Sequence, residues 1–190
     1  MRVFRGHSRP VPAPVVLAIG NFDGVHLGHA ALVKRLAQVA EALDLAPMVL
    51  TFEPHPREFF APDSAPARLT TLREKLELLG ECGARQAMIC PFNAAFAALS
   101  ADEFIEQVLL RGCLVRHLII GDDFRFGRGR AGDFGLLQDA GRRFGFAVEA
   151  MGSVTADGER VSSSAVRRAL LAGDMEHAAR LLGRPYIIDG

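Results

Sequence analysis

The chain has 190 residues, of which 49% are hydrophobic and 23% are charged, and its formal net charge at pH 7 is zero. This composition is typical of an ordinary globular protein and gives no sign of disorder. The neutral balance argues against broad electrostatic binding to nucleic acid or to an anionic membrane surface, so we expect neither partner. No apolar run has the length needed to cross a bilayer, and the N-terminal residues lack a signal-peptide core.

The three cysteines show no pattern of a disulfide framework or of a metal site. Cys82, Cys90 and Cys113 are odd in number, and none of them forms a C-x-x-C pair. Such spacing disfavours both structural disulfides and tetrahedral zinc. We therefore predict three buried thiols and a cytoplasmic, reducing location.

The first strong structural signal is a strand, a glycine-containing turn and a helix within residues 15–29. Val15–Ile19 is an uninterrupted apolar run that predicts a buried parallel strand. Gly20 and Gly24 permit unusual backbone angles in the turn, and helical periodicity follows Gly28. Because the free N–H groups and the dipole at a helix N-terminus attract anions, this arrangement predicts a phosphate site.

Two histidines make this turn more specific than a generic phosphate loop. His26 and His29 lie near the helix start with Gly28 between them, where the backbone can approach a ligand closely. The pair can donate hydrogen bonds to phosphate oxygens as charge develops, without a covalent intermediate. The alternative is that both are ordinary capping or core histidines. We favour the phosphate site because its candidate residues form one cluster, which comprises Asn21, Phe22, Asp23, Gly24, His26, Gly28 and His29.

Strand and helix signals alternate through the rest of the chain. Further strands are predicted at residues 48–52, 86–91, 115–120 and 146–150. Further helices are predicted from 29 to about 43, from 71 to near 80, from 101 to about 110, from 133 to near 145, from the serine cluster at 162–164 to before 173, and at 175–182. Asp157-Gly158 predicts a hairpin turn. The alternation predicts an α/β fold with a mainly parallel sheet and helices on both faces.

A proline-rich excursion interrupts this alternation after Phe52. Neither Pro54 nor Pro56 can donate a ladder hydrogen bond, so the chain must leave the sheet there. Residues 57–70 contain two more prolines and are predicted to form a loop. We expect a small insert subdomain over roughly residues 53–100.

Four motifs in order carry a family resemblance over nearly the whole chain. They are GNFDGVHLGH, TFEPHPREFF, GDDFRFGRGRAGDF and VSSSAVR. The chain resembles the adenylyltransferase module, or FAD synthetase, of the bacterial bifunctional riboflavin kinase/FMN adenylyltransferases. The resemblance implies a Rossmann-like nucleotidyltransferase fold and transfer of AMP from ATP to FMN, which gives FAD and pyrophosphate with Mg²⁺ as the metal. The histidine pair alone is less specific, because it recurs across the nucleotidyltransferase superfamily and in class I aminoacyl-tRNA synthetases.

The resemblance also implies roles for residues on the nucleotide side. The ATP phosphates would be contacted by His26 and His29, beside a backbone cradle formed by Gly20, Asn21, Phe22, Asp23 and Gly24. A second motif, Ser163, Ser164 and Arg167, would clamp the β- and γ-phosphates with hydroxyls, free N–H groups and an arginine one turn later. Its alternative is a plain serine N-cap with a solvated arginine.

With Arg167 and the two histidines as the catalytic set, the implied mechanism needs no general base. The phosphate of FMN is already an oxyanion, so the barrier lies in bringing two anions together and in stabilising charge on the α-phosphate and the leaving pyrophosphate. Catalysis would therefore consist of positioning and electrostatics.

The loop after residue 52 resembles the flavin-side loop of the family. Phe52 and Pro54 would belong to a rigid wall, from which His55 or Arg57 reaches the FMN phosphate. A proline-stiffened turn without a ligand role is the alternative reading of each of these residues.

The segment after the strand at 115–120 lies at the carboxyl end of a parallel strand, where open sheets bind ligands. The resemblance places Asp122 and Asp123 near the nucleotide ribose. Phe124 and Phe126 would stack on a nucleotide or flavin ring or fill the core, and we expect core filling for at least one of them.

Near the C-terminal end the chain resembles a different domain of the same family. Residues 1–183 match the adenylyltransferase domain, whereas 184–190 look like the first strand of a riboflavin kinase domain, whose P-T-A-N motif does not occur here. We expect no kinase activity from this chain and a covalently linked kinase domain in the full-length protein. A truncated chain and a natural short form both stay open, although a strand left without a sheet argues for truncation. Two alternatives stay open: a nucleotidyltransferase for another phosphorylated small molecule, and a flavin- or nucleotide-binding module without turnover. A class I synthetase fragment is disfavoured because the chain is short and lacks a broad basic surface.

Overall fold

The computed structural model describes residues 1–187 and contains one large sheet. Its strands are β1 (Arg2–Arg5), β2 (Val15–Ile19), β3 (Ala46–Glu53), β4 (Gln86–Pro91), β5 (Val115–Gly121) and β6 (Ala147–Met151). They lie in the order β1-β4-β3-β2-β5-β6, and every neighbouring pair is parallel. A separate antiparallel hairpin is formed by β7 (Thr155–Ala156) and β8 (Glu159–Arg160), as Asp157-Gly158 predicts.

The helices connect these strands. They are α1 (Leu27–Ala42), α2 (Pro56–Phe60), α3 (Leu72–Glu81), α4 (Ala94–Ala97), α5 (Ala101–Glu103), α6 (Phe134–Phe144), α7 (Ser163–Leu171) and α8 (Met175–Leu182). A π-helical segment, Phe104–Gly112, continues directly from α5, and short 3-10 turns lie at Pro62–Ser64 and Arg128–Arg130. Within residues 1–187, no helix is both long and apolar enough to cross a membrane.

The central strand β2 shows why both faces of the sheet are covered. All five of its residues are buried. Alternate side chains of β2 pack into two different cores, because successive residues of a strand point to opposite faces. One core is filled by the π-helical segment and α6, and the other by α1 and α3. The predicted α/β fold with helices on both faces is confirmed.

The order of the strands determines where a ligand can bind. From β2 the chain passes through β3 to β4 on one side and then returns to β5 on the other side of β2. Open parallel sheets bind ligands at the carboxyl ends of the strands beside such a reversal. The segments that follow β2, β3 and β5 therefore meet at one edge of the sheet.

Several elements escape the sequence patterns, among them β1, α2 and α4. The strand β1 has the sequence RVFR, which contains no apolar run, and it is ordered by parallel pairing with β4. The helix α2 lies where a loop is predicted, and this prediction is wrong for a physical reason. Pro56 occupies the first helical turn, where a missing N–H is tolerated, and His55 and Glu58 form a capping box around it.

The predicted insert of residues 53–100 contains β4, which pairs with β1 and β3 in the main sheet. What lies outside the sheet in that range is the pair of connections on either side of β4. The division into a domain of residues 1–183 and a short stub stays a prediction. No strand is formed by residues 184–187, and residues 188–190 lie outside the described part of the chain.

The cysteines are free thiols, two of which are buried as predicted. Cys90 and Cys113 lie in the core beneath the sheet. The prediction is wrong for Cys82, which is part-exposed because it caps the C-terminal end of α3.

Candidate active site

A cleft of about 960 Å³ opens at the carboxyl ends of β2, β3 and β5. It is lined by the turn after β2, the loop and α2 after β3, the segment after β5 and the start of α7. The wall formed by the turn and α7 is polar, whereas the wall near α2 and α4 is aromatic.

The turn after β2 is held in backbone conformations that few residues adopt. Phe22 has a φ of 51°, Gly24 of 79° and Val25 of 39°. This path brings His26 to the N-cap of α1, where its Nδ1 accepts a hydrogen bond from the N–H of His29 at 3.4 Å. The expected capping role of His26 is thus present, and it places the imidazole at the open end of the helix.

Gly28 is required by His26. A Cβ atom at residue 28 would lie 3.1 Å from Cε1 and 3.2 Å from Nδ1 of the His26 ring. These distances are shorter than ordinary van der Waals contact, so a side chain at this position would require the imidazole to move by a few tenths of an ångström. A histidine ring therefore lies close to the backbone of Gly28, and the expected close approach of a ligand stays a prediction.

The two imidazoles are stacked and uncharged. The ring centroids of His26 and His29 lie 3.6 Å apart with an interplanar angle of 17°. Burial lowers the pKa of His26 to about 4. Burial, followed by the nearby His26 and the charge of Lys75, lowers the pKa of His29 well below its ordinary value. At neutral pH both rings are therefore neutral, and because Nδ1 of His26 is an acceptor, its proton lies on Nε2 as a donor.

The His29 ring has a nitrogen that forms no hydrogen bond with the described residues. Its Nδ1 is buried and has no hydrogen-bond partner among the described residues. The ring packs edge-on against Phe22, with centroids 5.2 Å apart. A buried polar atom without a partner is costly, and because His29 lines the cleft, a ligand bound there could supply the missing partner.

Asp23 connects the turn to two other elements. Its Oδ1 accepts hydrogen bonds from the N–H groups of Leu69 at 3.0 Å and Thr70 at 3.2 Å. Its Oδ2 forms an ion pair with Arg167 of α7. The Oγ of Ser163 donates to the carbonyl oxygen of Asp23 at 2.8 Å. The first and the second nucleotide motifs are therefore joined by direct bonds.

Arg167 has structural partners as well as a place in the cleft wall. Its Nε donates to the carbonyl oxygen of Ala67 at 2.7 Å, in addition to the ion pair with Asp23. The side chain is mostly buried, so the alternative of a solvated arginine does not describe it. Ser162 is the N-cap of α7, and the exposed Ser164 stands in the first turn of that helix.

The aromatic wall is centred on Phe92. The ring of Phe92 lies 5.6 to 5.8 Å from those of four other phenylalanines, which are Phe52, Phe59, Phe60 and Phe96. Most of these contacts are edge-to-face, a geometry that leaves ring faces free. Phe60 is 68% exposed. The wall is therefore an open apolar surface within the cleft.

His55 caps α2 and lines the cleft. Its Nδ1 accepts a hydrogen bond from the N–H of Arg57 at 3.1 Å, which leaves the proton of the neutral ring on Nε2. Burial lowers the pKa of His55. Arg57 beside it is exposed and lines the cleft.

The segment after β5 brings an acidic pair to the cleft rim. Arg160 of β8 pairs with Asp123 at 2.7 Å, and its Nη2 lies 3.9 Å from Asp122. Phe124 stacks on Phe126 with centroids 5.8 Å apart. Phe126 is buried in the core, which confirms the expectation that at least one of these rings fills it.

Comparison with known proteins decides the family. The family model described as FAD synthetase matches residues 8–165. The chain belongs to the FAD synthetase family. Similar curated proteins include the bifunctional riboflavin kinase/FMN adenylyltransferases of Escherichia coli strain K12, 48% identical over 193 residues, and of Pseudomonas fluorescens, 48% identical over 192 residues. Each alignment covers 100% of this chain but 62% and 61% of those proteins, respectively, so the chain spans less than two thirds of their length.

A solved structure shares the fold of this FAD synthetase-family chain. It is described as a macrolide-efflux protein from Streptococcus pneumoniae and has a TM-score of 0.84 at 24% sequence identity. The match covers 98% of this chain and 61% of that one. At this identity the likeness bears on the fold alone.

The cleft brings together nearly all of the predicted site residues. Those that line it are Gly20, Asn21, Phe22, Asp23, His26, His29, Phe52, His55, Arg57, Asp122, Asp123, Phe124, Ser163, Ser164 and Arg167. Two predicted residues stand elsewhere. Gly24 is buried, and a Cβ atom there would lie 2.8 Å from Leu69, whereas Pro54 is exposed on the loop. Gly24 shapes the turn, and Pro54 does not form part of the cleft wall.

Several residues of the site escaped the sequence patterns, among them Phe60 and Phe92 of the aromatic wall. Thr70 binds the turn through its Oγ1, which accepts from the N–H of Gly24 at 3.1 Å, and Arg160 holds the acidic pair. Lys75 is only 4% exposed and lies four residues before the buried Leu79 on α3. A lysine on the buried face of an amphipathic helix is a signal that the sequence does contain.

Proposed function

We propose that the chain is an FMN adenylyltransferase, which transfers AMP from ATP to the phosphate of FMN and releases FAD and pyrophosphate. The observation that carries the proposal is the meeting, in one cleft, of a neutral histidine pair at the N-terminus of α1, the N-terminus of α7 and an aromatic wall. Membership of the FAD synthetase family supports the same reaction.

The ATP phosphates would lie against the two helix N-termini. Free N–H groups and the helix dipoles provide positive potential there. The Nε2–H of His26 provides a neutral donor, and Ser164 provides an exposed hydroxyl in the first turn of α7. Arg167 adds charge while its bonds to Asp23 and Ala67 keep the turn in place. These groups would hold the phosphates without a covalent bond to the protein.

The flavin would occupy the aromatic wall. Phe60 and Phe92 offer ring surfaces of a size and polarity that suit a flat heteroaromatic ring. The Nε2–H of His55 and the guanidinium of Arg57 line the same cleft, where they would bind the phosphate of FMN. Asp122, Asp123 and Phe124 would meet the nucleotide at the rim.

The reaction then follows from position and charge. An oxygen of the FMN phosphate attacks the α-phosphorus of ATP and forms a new P–O bond, while the bond from that phosphorus to the oxygen bridging to the β-phosphate breaks. Pyrophosphate leaves with that oxygen, and no proton has to be removed from the nucleophile. Donors aimed at the α-phosphate stabilise charge that grows during this step.

Mg²⁺ is proposed to arrive with the nucleotide. In residues 1–187 no group of three or more His, Cys, Asp or Glu side chains is arranged to hold a metal ion, and the carboxylates at the cleft are engaged by Arg160 and Arg167. The side chains of these described residues therefore do not form a cage for Mg²⁺. Mg²⁺ commonly binds through substrate phosphates and a few carboxylates, where it neutralises phosphate charge.

For the whole protein we propose a bifunctional enzyme in which this domain is covalently linked to a riboflavin kinase domain. The names of the similar curated proteins, of which this chain spans 62% or 61%, support this. The free thiols fit the proposed cytoplasmic location.

The experiment is incubation with FMN, ATP and Mg²⁺, with chromatographic detection of FAD and a coupled assay for pyrophosphate. We expect FAD and pyrophosphate in equal amounts. Parallel reactions with CTP and with other phosphomonoesters test whether the enzyme acts on a different pair of substrates. A folded protein that binds ATP and FMN but forms no FAD would be a binding module, and the proposal would be wrong.

A further inference from the structure

Arg184 lies just beyond α8 and reaches back to the histidine turn. Its Nη1 donates to the carbonyl oxygen of Val25 at 2.9 Å, and its Nη2 donates to that of Gly24 at 2.7 Å. A guanidinium fork on two successive carbonyls is directional and charge-assisted. Arg184 lies outside residues 8–165, which the family model matches, and outside all four sequence motifs.

The two carbonyls belong to the strained part of the turn. Val25 is β-branched and has a φ of 39°, in a region that such residues rarely adopt. Strained backbone of this kind persists only where its surroundings hold it. On the N–H side, Val25 donates to the carbonyl of Phe22 at 3.3 Å and Gly24 donates to Thr70. Arg184 holds the carbonyl side.

Because the peptide bond is planar, the contact of Arg184 with the carbonyl of Val25 also orients the N–H of the next residue. In a trans peptide the C=O group and the following N–H group point in opposite directions. When Arg184 binds the carbonyl of Val25, it therefore also fixes the direction of the N–H of His26. This peptide precedes His26, which has an extended conformation with φ −72° and ψ 172°. In that conformation His26 is the N-cap of α1.

A second contact joins the same segment to α1. Gly183 ends α8 with a φ of 75°, and a Cβ atom there would lie 2.5 Å from Cδ2 of Leu27. Leu27 is the first residue of α1. Neither Gly183 nor Arg184 lines the cleft. The segment therefore packs against the turn and the start of α1 from behind.

We propose that Arg184 is a positioning residue for adenylyl transfer. It holds the Gly24 and Val25 peptides from behind the turn, so that His26 and the N-terminus of α1 meet the ATP phosphates. The role in adenylyl transfer rests on the proposed function, whereas the effect of Arg184 on the turn is testable by measuring the affinity for MgATP alone. Residues that follow α8 thus act on the nucleotide site through the backbone of the histidine turn.

The deciding variant is Arg184→Lys, which keeps the charge but replaces the fork by a single ammonium group. We expect its melting temperature to stay within a few degrees of wild type. Its affinity for MgATP, measured by isothermal titration calorimetry without FMN, is expected to weaken about tenfold or more, because the turn loses a charge-assisted bond. The KM for FMN is expected to stay unchanged. Arg184→Gln is expected to weaken MgATP binding further.

The matched control is Arg180→Gln. Arg180 lies on α8 and pairs with Asp157 at an exposed position, so we expect MgATP affinity to equal that of wild type. Equal affinity in wild type and Arg184→Lys, or an equal loss in Arg180→Gln, would overturn the proposal whatever Arg184→Gln does. Wild-type protein that binds MgATP but forms no FAD overturns the proposed function alone, and the titration still decides the role of Arg184. Absence of MgATP binding by wild type overturns both.

Discussion

The two walls of the cleft are built in different ways. In the wall formed by the turn and α7, polar groups are buried and bonded to one another: Asp23 is 3% exposed and His26 is 7% exposed. In the aromatic wall, Phe60 is 68% exposed and contacts Phe92 edge-to-face. The first wall is preorganised for charge, whereas the second offers an adaptable apolar surface. Chemistry and acceptor recognition are therefore expected to respond differently to substitution.

The largest expected effect comes from separating Asp23 and Arg167. Asp23→Asn removes one charge of a buried pair and leaves the guanidinium uncompensated, so we expect the free energy of unfolding to fall by about 3 to 5 kcal/mol. Urea denaturation measures this change. Asp139→Asn is the control, because its exposed pair with Arg142 on α6 is expected to contribute less than about 1 kcal/mol. Equal changes in the two variants would contradict the view that the turn is held by buried charge.

The pH dependence of stability tests the neutral histidine pair. Between pH 6.5 and the folded pKa of His26, about 4, the unfolded chain binds the proton and the folded chain does not. Stability therefore rises with pH through this window, and as the pH falls from 6.5 to 4 we expect a loss of about 3 kcal/mol from His26. His29 adds a loss of the same sign.

The matched variant for this test is His26→Asn, since asparagine preserves an N-cap acceptor but does not titrate. Urea unfolding at several pH values is expected to give a flatter dependence for His26→Asn than for wild type. Identical slopes would mean that the buried ring is not the group that titrates.

The next effect is catalytic. His29→Ala removes a donor close to the developing charge, so we expect kcat to fall about 100-fold, which corresponds to about 2.7 kcal/mol. Steady-state assays of FAD formation measure it, and a thermal melt checks the fold. His177→Ala, on α8 and outside the cleft, is the control. Full activity of His29→Ala would mean that the helix N-termini and arginine suffice.

The smallest expected effect concerns the aromatic wall. Phe60→Ala removes an exposed ring, so we expect the KM for FMN to rise about tenfold, which is the loss of roughly one ring contact. The KM for ATP and the melting temperature are expected to change little. Phe144→Ala, which removes an exposed ring at the end of α6, is the control. A larger change for ATP than for FMN would reverse the assignment of the two walls.

The sequence predicts the local parts of this site well. Val15–Ile19 and the helix that carries His26 and His29 follow from an apolar run, two glycines and a 3.6-residue period, all of which act over short distances. The aromatic wall is harder to predict, because α2 begins at a proline in a segment that resembles a loop. Its phenylalanines come together only through the connections on both sides of β4.

The bonds that hold the turn are beyond such patterns. Thr70 contacts Gly24 across 46 residues of chain, and Arg184 contacts it across 160. No periodicity or motif encodes pairs at these separations, which depend on how the helices pack on the sheet. Gly28 shows the same limit at short range. The sequence shows a glycine at this position, but it does not show that the His26 ring packs closely against it.

The most direct test of the mechanism is the stereochemistry at the α-phosphorus. FAD formation from FMN and a single diastereomer of adenosine 5′-O-(1-thiotriphosphate) reports whether the phosphorus is attacked once or twice. In the proposed mechanism the polar wall aligns the two anions and no covalent intermediate forms, so the phosphorus is attacked once. We therefore expect inversion of configuration in the thio-FAD product. Retention of configuration would require a covalent adenylyl-protein intermediate and would contradict the account.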